Sequence, residues 1–247
     1  MKPIQVRFLG SGDAFGSGGR LQTCILVEAT MSRFLIDCGT TGLIAMRRFG
    51  VNPNDIDLIL LTHLHGDHFG GIPFFVLDAQ LISKRNRPLI IAGPPGTKKR
   101  IAAAMEVFFP GSSQVQQRFP VDIHELAPQH PSTFGEVVVT PYLVQHPSGD
   151  PSLALRIGCA GKTLTYTGDT QWTETLPKAC RGADLVIAEA YFFDKQVPFH
   201  LDLQTVLAHL DELQPKRLML THMSEDMLSR LEELPYDSAE DGTGIEV

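Results

Sequence analysis

The chain has 247 residues, 43% of them hydrophobic and 20% charged, with 28 acidic against 21 basic side chains. That length buries a core without disulfide or metal staples, and the apolar content excludes wholesale disorder. A formal net charge of −7 argues against a surface built to wrap a nucleic-acid backbone, which needs a basic stripe.

Ile4–Leu9 alternates as a strand and shows no signal-peptide core. Gln22–Glu28 and Ser32–Asp37 read as two strands around a turn. Thr41–Phe49 reads as a helix capped by Gly50, and Asp57–Leu61 as a strand buried on both faces. A helix is predicted after Gly70-Gly71 through Ile82, then a strand at Leu89–Ala92 and a helix at Lys98–Phe109, stopped by Pro110-Gly111. Strands follow at Val121–Leu126, Val137–Gln145, Leu153–Ile157 and Thr163–Thr167, with turns at Ser148–Pro151 and Ala160-Gly161. The last part offers a helix near Trp172–Cys180, a strand at Leu185–Glu189, a helix at Leu203–Leu213 and a strand at Arg217–Leu220. A helix at Glu225–Leu234 and a final strand at Ile245–Val247 complete the series. Each half brings strands first and helices later. Two antiparallel-rich sheets packed face to face, with helices outside, satisfy that order in four layers.

No apolar run reaches the ~20 residues of a bilayer span. Cys24, Cys38, Cys159 and Cys180 form no Cys-x-x-Cys pair and read as buried thiols, so the expected compartment is the cytoplasm. The basic clusters Lys84, Arg85, Arg87 and Lys98, Lys99, Arg100 are expected on solvated helix ends or loops.

The strongest segment is Thr62-His63-Leu64-His65-Gly66-Asp67-His68, directly after a buried strand. Neutral imidazole suits zinc, iron and similar ions, and a carboxylate adds charge neutralisation. His63 and His65, two apart, can face one ion from an extended loop. Asp67 and His68, turning into a helix, are better placed for a second, and Gly66 permits the bend between the pairs. Further donors must complete two coordination spheres. His146, Asp169 and His222 each stand at the C-terminal end of a predicted strand, where open sheets place ligands. His124, His130 and His209 have no motif context and are expected to be structural or exposed.

With these residues the chain resembles the metallo-β-lactamase superfamily, whose His-x-His-x-Asp-His signature is met by His63, His65, Asp67 and His68. The resemblance runs from Phe8 to the tail. It implies an α/β chain of one domain, residues 1–247, folded as a four-layer αββα sandwich with a dinuclear site at one edge of the sheets. It also implies that one metal takes His63, His65 and His146, the other Asp67, His68 and His222, with Asp169 bridging. Zinc is the first expectation for both ions, with manganese or iron as alternatives.

Within the superfamily the chain is similar to the ribonuclease Z-like branch, which includes small cyclic phosphodiesterases. Phe8-Leu9-Gly10-Ser11-Gly12 with Arg20 matches its glycine-rich start. His200 matches a histidine of the branch that is not a metal ligand and faces the scissile group, and Glu189 matches the carboxylate that holds it. The resemblance to ribonuclease Z itself is incomplete. A short hairpin stands between the strands at 153–157 and 163–167, with no room for an RNA-gripping arm. Ala188 replaces a histidine, and the extra zinc-binding cysteines of the phosphonate-pathway phosphodiesterase are missing.

The implied activity is a metal-dependent phosphodiesterase using a hydroxide held at the dinuclear centre, acting on a small, cyclic or nucleotide diester. Asp67 would steer the attacking water, and His200, oriented by Glu189, would protonate the leaving oxygen. A lactone or thioester hydrolase with the same centre is the alternative, and an RNA endonuclease is disfavoured. The expected partner is a small anionic substrate, with no membrane and no long nucleic acid. The apolar stretch Ile72–Ile82, with Phe74 and Phe75, reads either as a homodimer interface or as core.

Overall fold

The computed structural model describes residues 3–149 and 151–247. Its first half runs Gln5–Gly10 (β1), Cys24–Glu28 (β2), Arg33–Ile36 (β3), Gly42–Arg48 (α1), Leu58–Leu60 (β4), Gly66–Phe69 (α2), Ile72–Leu81 (α3), Leu89–Gly93 (β5), Thr97–Phe108 (α4) and Val121–Glu125 (β6). The second half opens with Ser132–Phe134 (β7), Val137–Val144 (β8), Ser152–Cys159 (β9), Lys162–Tyr166 (β10), Leu176–Cys180 (α5) and Leu185–Glu189 (β11). It continues with Leu203–Ala208 (α6), Leu210–Leu213 (α7), Leu218–Thr221 (β12), Glu225–Leu228 (α8), Asp237–Ser238 (β13) and Gly244–Glu246 (β14). The expected turn at 148–151 includes Asp150, which lies outside the described residues.

The strands form two sheets, ordered β14-β1-β2-β3-β4-β5-β6 and β13-β12-β11-β10-β9-β8-β7. Each sheet begins as an antiparallel meander. The first turns parallel from β3 onward and the second from β10 onward. The expectation of antiparallel-rich sheets is therefore corrected: half the pairings in each sheet are parallel. The helices supply the crossovers those pairings require.

Alternation along the strands builds three apolar layers. Phe34 and Ile36 of β3, with Leu58 and Leu60 of β4, face the second sheet's Leu155, Ile157, Leu185 and Ile187. Leu35 and Ile59 point the other way, onto Met46, Phe75, Val76 and Ile101 of the first helical layer. On the far side Val186, Ala188 and Leu220 meet Leu176, Leu203, Val206 and Met227. Both faces of the central strands are covered, which is why β4 is apolar at every position and β11 at all but Glu189. The four layers expected from the sequence are present in the order αββα.

Several local expectations are corrected. The predicted 203–213 helix is two helices, because His209 leaves the helical region at φ −106° and ψ 12°. The helix expected near Trp172 starts only at Leu176, with Pro177 in its first turn. That expected over Glu225–Leu234 ends at Leu228. The short edge strands β7 and β13 were not foreseen.

Arg85 is not a solvated charge. It is 2% exposed, and its guanidinium donates to the carbonyls of Ile56, Pro88 and Arg87 at 2.7–2.8 Å and of Pro53 and Asn54 at 3.3 Å. In α3, Ile72, Phe75, Val76 and Ala79 are buried against the sheet, while Leu81 and Ile82 beyond them are exposed. All four cysteines are free and buried. No helix among the described residues is long and apolar enough to cross a membrane.

Candidate metal centre

Four strand ends converge at one edge of the sandwich. Thr62 to His68 follow β4, His146 follows β8, Asp169 follows β10 and His222 follows β12. Gly168, at φ +59°, makes the turn that delivers Asp169, and a Cβ there would press on the Leu153 carbonyl and the Thr62 side chain at 3.0 Å. Gly66 does not carry the bend assigned to it. It is the first residue of α2 with no positive φ, and the chain turns instead at the extended N-cap His65, φ −81° and ψ 153°.

Among the described residues the donors gather in the two groups the family resemblance implies. His63, His65 and His146 form one, and Asp67, His68, Asp169 and His222 the other, each with its ligand atoms within 4.8 Å of one another. Asp169, Glu189, His200 and His222 form a third that overlaps the second. Nε2 of His146 and Nδ1 of His65 are 3.0 Å apart. Asp169 lies between the groups. Its Oδ2 is 3.9 Å from His63 and from His146 and 3.5 Å from His222, and its Oδ1 is 3.3 Å from His68. Asp67 Oδ2 is 3.2 Å from His68 Nε2 and 3.3 Å from His222 Nε2.

A second tier of residues orients the rings. Asp37, fully buried, accepts from the Thr62 backbone and hydroxyl at 2.8 Å and from His68 Nδ1 at 2.7 Å. Thr62 Oγ1 gives its proton to Asp37, so it accepts from His63 Nδ1 at 3.1 Å. His146 Nδ1 donates to the Phe199 carbonyl at 3.0 Å. In all three rings Nδ1 carries the proton, which leaves Nε2 for the centre, an arrangement common among metal-bound histidines. Asp37, Phe199 and His222 are non-glycine residues with positive φ, at 58°, 70° and 56°. Strained backbone of this kind persists where surrounding contacts over-determine it.

The donor set fits divalent cations. Nε2 of His63, Nε2 of His68 and Oδ1 of Asp169 are buried and have no hydrogen-bond partner, a costly arrangement unless a cation is the intended partner. Burial holds the His63 ring well below the ordinary imidazole range and lowers His146, keeping both neutral. Burial alone would raise the carboxyls of Asp67 and Asp169. His68 and His222 outweigh it and hold both acids well below the usual carboxylate range. Reciprocally, these acids draw protons onto His68 and His222 against the cost of burial. A cation would take the place of those protons.

A cavity of about 180 Å³ opens over the centre, lined by Ala14, Phe15, His65, Asp67, His146, Asp169, Tyr191, His200 and His222. His200 stands on its wall, its ring centroid 4.9 Å from that of His146. Its Nδ1 donates to Glu189, leaving Nε2 as the nitrogen on the cavity side. Glu189 is fully buried at the end of β11 and accepts from Thr170 N at 2.9 Å and Leu201 N at 3.2 Å. Burial lowers the pKa of His200, but the Glu189 bond and charge overcome it, and the net direction is upward.

Sequence reasoning missed Asp37, Thr62, Tyr191 and Phe15. Asp37 carried a usable signal, an acid ending an apolar strand as Asp169 does. Tyr191 stacks on His200 at 4.7 Å, and nothing local in the sequence marks it. The remaining histidines lie outside the site: His209 stacks on Trp172 at 3.7 Å, His124 packs edge-on to Phe134, and His130 bonds the Pro128 carbonyl.

Comparison with known proteins agrees with this architecture. Residues 4–235 match the family model described as Anti-Pycsar protein Apyc1. A ribonuclease Z of Mycobacterium sp. (strain KMS) is 27% identical over 198 residues, 76% of this chain and 68% of that protein. The crystal structure of the human tRNase Z short form superposes with a TM-score of 0.80 at 26% identity, covering 98% of both chains. A diphosphatase from the PhnP family shares the fold, with a TM-score of 0.79 at 20% identity over 100% of this chain and 98% of that one.

Proposed function

We propose that this chain, which belongs to the Anti-Pycsar protein Apyc1 family in the ribonuclease Z-like branch of the metallo-β-lactamase superfamily, is a metal-dependent phosphodiesterase for a small cyclic or nucleotide diester. One observation carries the reading. His200, braced by buried Glu189, faces the cavity beside two groups of metal donors.

His63, His65 and His146 would hold one divalent ion and Asp67, His68 and His222 the other, with Asp169 between them; zinc is the first choice and manganese or iron the alternatives. When bound, such ions supply Lewis acidity and lower the pKa of water. The chain's own residues do the rest. Asp67, on the cavity wall, accepts a hydrogen bond from the attacking water and sets its line of approach. Glu189 fixes the His200 ring, so that Nε2 presents its proton toward the leaving oxygen. The raised pKa of His200 suits an acid that must keep that proton near neutral pH. Two-ion sites with a positioned proton donor suit a phosphodiester, whose departing alkoxide needs protonation.

The β9–β10 turn supports a small substrate. Ala160 and Gly161 alone join the strands, at φ 47° and 79°, so no arm for a long RNA stands there. The relatives support hydrolysis in general: they include a ribonuclease Z and a diphosphatase. The test is a screen of metal-reconstituted protein against cyclic nucleotides, bis-p-nitrophenyl phosphate and a lactone panel. Turnover of diesters is expected. Turnover of lactones alone would replace the reading with that of a carbonyl hydrolase.

A further inference from the structure

The loop between β1 and β2 carries Phe15, a residue that lines the cavity and is 84% exposed. Exposing an aromatic ring is unfavourable by roughly 25 cal/mol per Å², and this exposure is enforced. Buried Asp13 accepts from the Phe15 and Ser17 amides at 3.1 and 2.9 Å and from the Ser17 hydroxyl at 2.7 Å. Gly16, at φ +70°, turns the chain straight after Phe15. Gln22 Nε2 holds the Ala14 carbonyl at 3.3 Å. The backbone that carries the ring is thus held at the mouth of the site.

Cavity size says what meets it. At about 180 Å³ the cavity is smaller than the roughly 300–1,000 Å³ of pockets that enclose a whole ligand. It admits the scissile phosphate and its nearest atoms, and the rest of a nucleotide must lie over the lip. Tyr191 already spends a face on His200, whereas Phe15 makes no ring contact among the described residues. An isolated ring of about 150–250 Å² is also far short of the roughly 800 Å² per partner of a stable protein interface.

We propose that Phe15 is a specificity-determining platform on which the planar base of a nucleotide substrate stacks while its phosphate occupies the metal centre. The proposal rests on the phosphodiesterase reading and narrows its substrates to base-bearing diesters. Stacking on an aromatic face tolerates any base, so selection is for a flat ring and not for one sequence letter.

The test compares Phe15→Ala, Phe15→Leu and Phe15→Trp with the unaltered protein. Substrates are 3′,5′-cyclic nucleotides and the 3′,5′-cyclic phosphate of methyl ribofuranoside, which has the same diester ring and no base. The ratio of kcat/KM for base-bearing over base-free substrate should fall roughly tenfold to a hundredfold in Phe15→Ala. It should fall nearly as far in Phe15→Leu, which keeps apolar area without a flat face, and return in Phe15→Trp. A second arm reads binding without turnover: calorimetric titration of zinc-loaded protein with adenosine 5′-phosphate and with ribose 5-phosphate. If the unaltered protein hydrolyses neither diester, the phosphodiesterase reading fails, and the binding arm alone decides the role of Phe15. A selectivity ratio unchanged within twofold in Phe15→Ala overturns the proposal. So does full selectivity in Phe15→Leu, or a changed solution mass with unchanged selectivity, which would make the ring a protein contact.

Discussion

His68 Nδ1 donates a hydrogen bond to Asp37 at 2.7 Å, inside a site where neither side chain is exposed to water. Asp37 therefore sets the direction in which His68 Nε2 points, and through Thr62 it does the same for His63. Removing it should loosen metal binding without touching a donor. Asp37→Ala is expected to weaken metal affinity roughly 10- to 100-fold, as loss of a ligand-orienting partner does. Competition with a chelator measures this. An unchanged affinity would leave Asp37 with only a packing role.

His200→Ala should keep its metals and lose roughly 10²- to 10⁴-fold in kcat, the usual contribution of a positioned proton donor. Glu189→Gln should lose part of the same factor, because the ring remains but its brace is weakened. Elemental analysis beside steady-state kinetics on a diester checks both. Full activity in His200→Ala would remove the proton-donor role.

Asp169 is the carboxylate nearest to both donor groups, within 3.3–3.9 Å of four histidines. Asp169→Ala should lose at least one metal ion per chain. Retention of two ions by elemental analysis would refute its place between them.

Chelation should destabilise the protein as a whole. An ion present at a hundred times its dissociation constant contributes about 2.7 kcal/mol, and a chain of this size moves about 2–4 °C per kcal/mol. Stripping the ions should lower Tm by roughly 5–10 °C, and zinc should restore it. A Tm indifferent to chelator would mean that the native fold gains nothing from the cation.

Arg85 is a stability test far from the chemistry. Its loss takes a donor from five carbonyls in two segments, at 53–56 and 87–88. Arg85→Ala should cost about 3 kcal/mol by denaturant unfolding, and Arg85→Lys most of that, since an ammonium lacks the planar fork.

What could be read beforehand was whatever the chain states locally. Four donors within six residues announce themselves, and His146, Asp169 and His222 follow strands apolar enough to recognise. The four layers followed from strand and helix order. The parallel half of each sheet did not, because hairpin-length spacings around β2, β3, β9 and β10 dominate a local reading. Asp37 shows locally only as an acid ending an apolar strand, with its partners Thr62 and His68 some 25 and 31 residues away, and the stacking of Tyr191 on His200 exists only in the folded chain. Arg85 looked solvated as one of a basic cluster, and its burial depends on carbonyls roughly thirty residues upstream.

The two sheets have the same internal order, β1 to β6 in one and β7 to β13 in the other, and the donors divide between them. His65 and His146 meet across 81 residues, and Asp67 and His222 across 155. Under the proposed ligand sets neither half of the chain would own a complete coordination sphere. Cation capture would then report tertiary closure: an unfolded or half-docked chain offers only scattered donors, and tight binding would wait until the halves have met. The ions would then act as a seam between the halves, resisting their separation in the way a late-formed cross-link does.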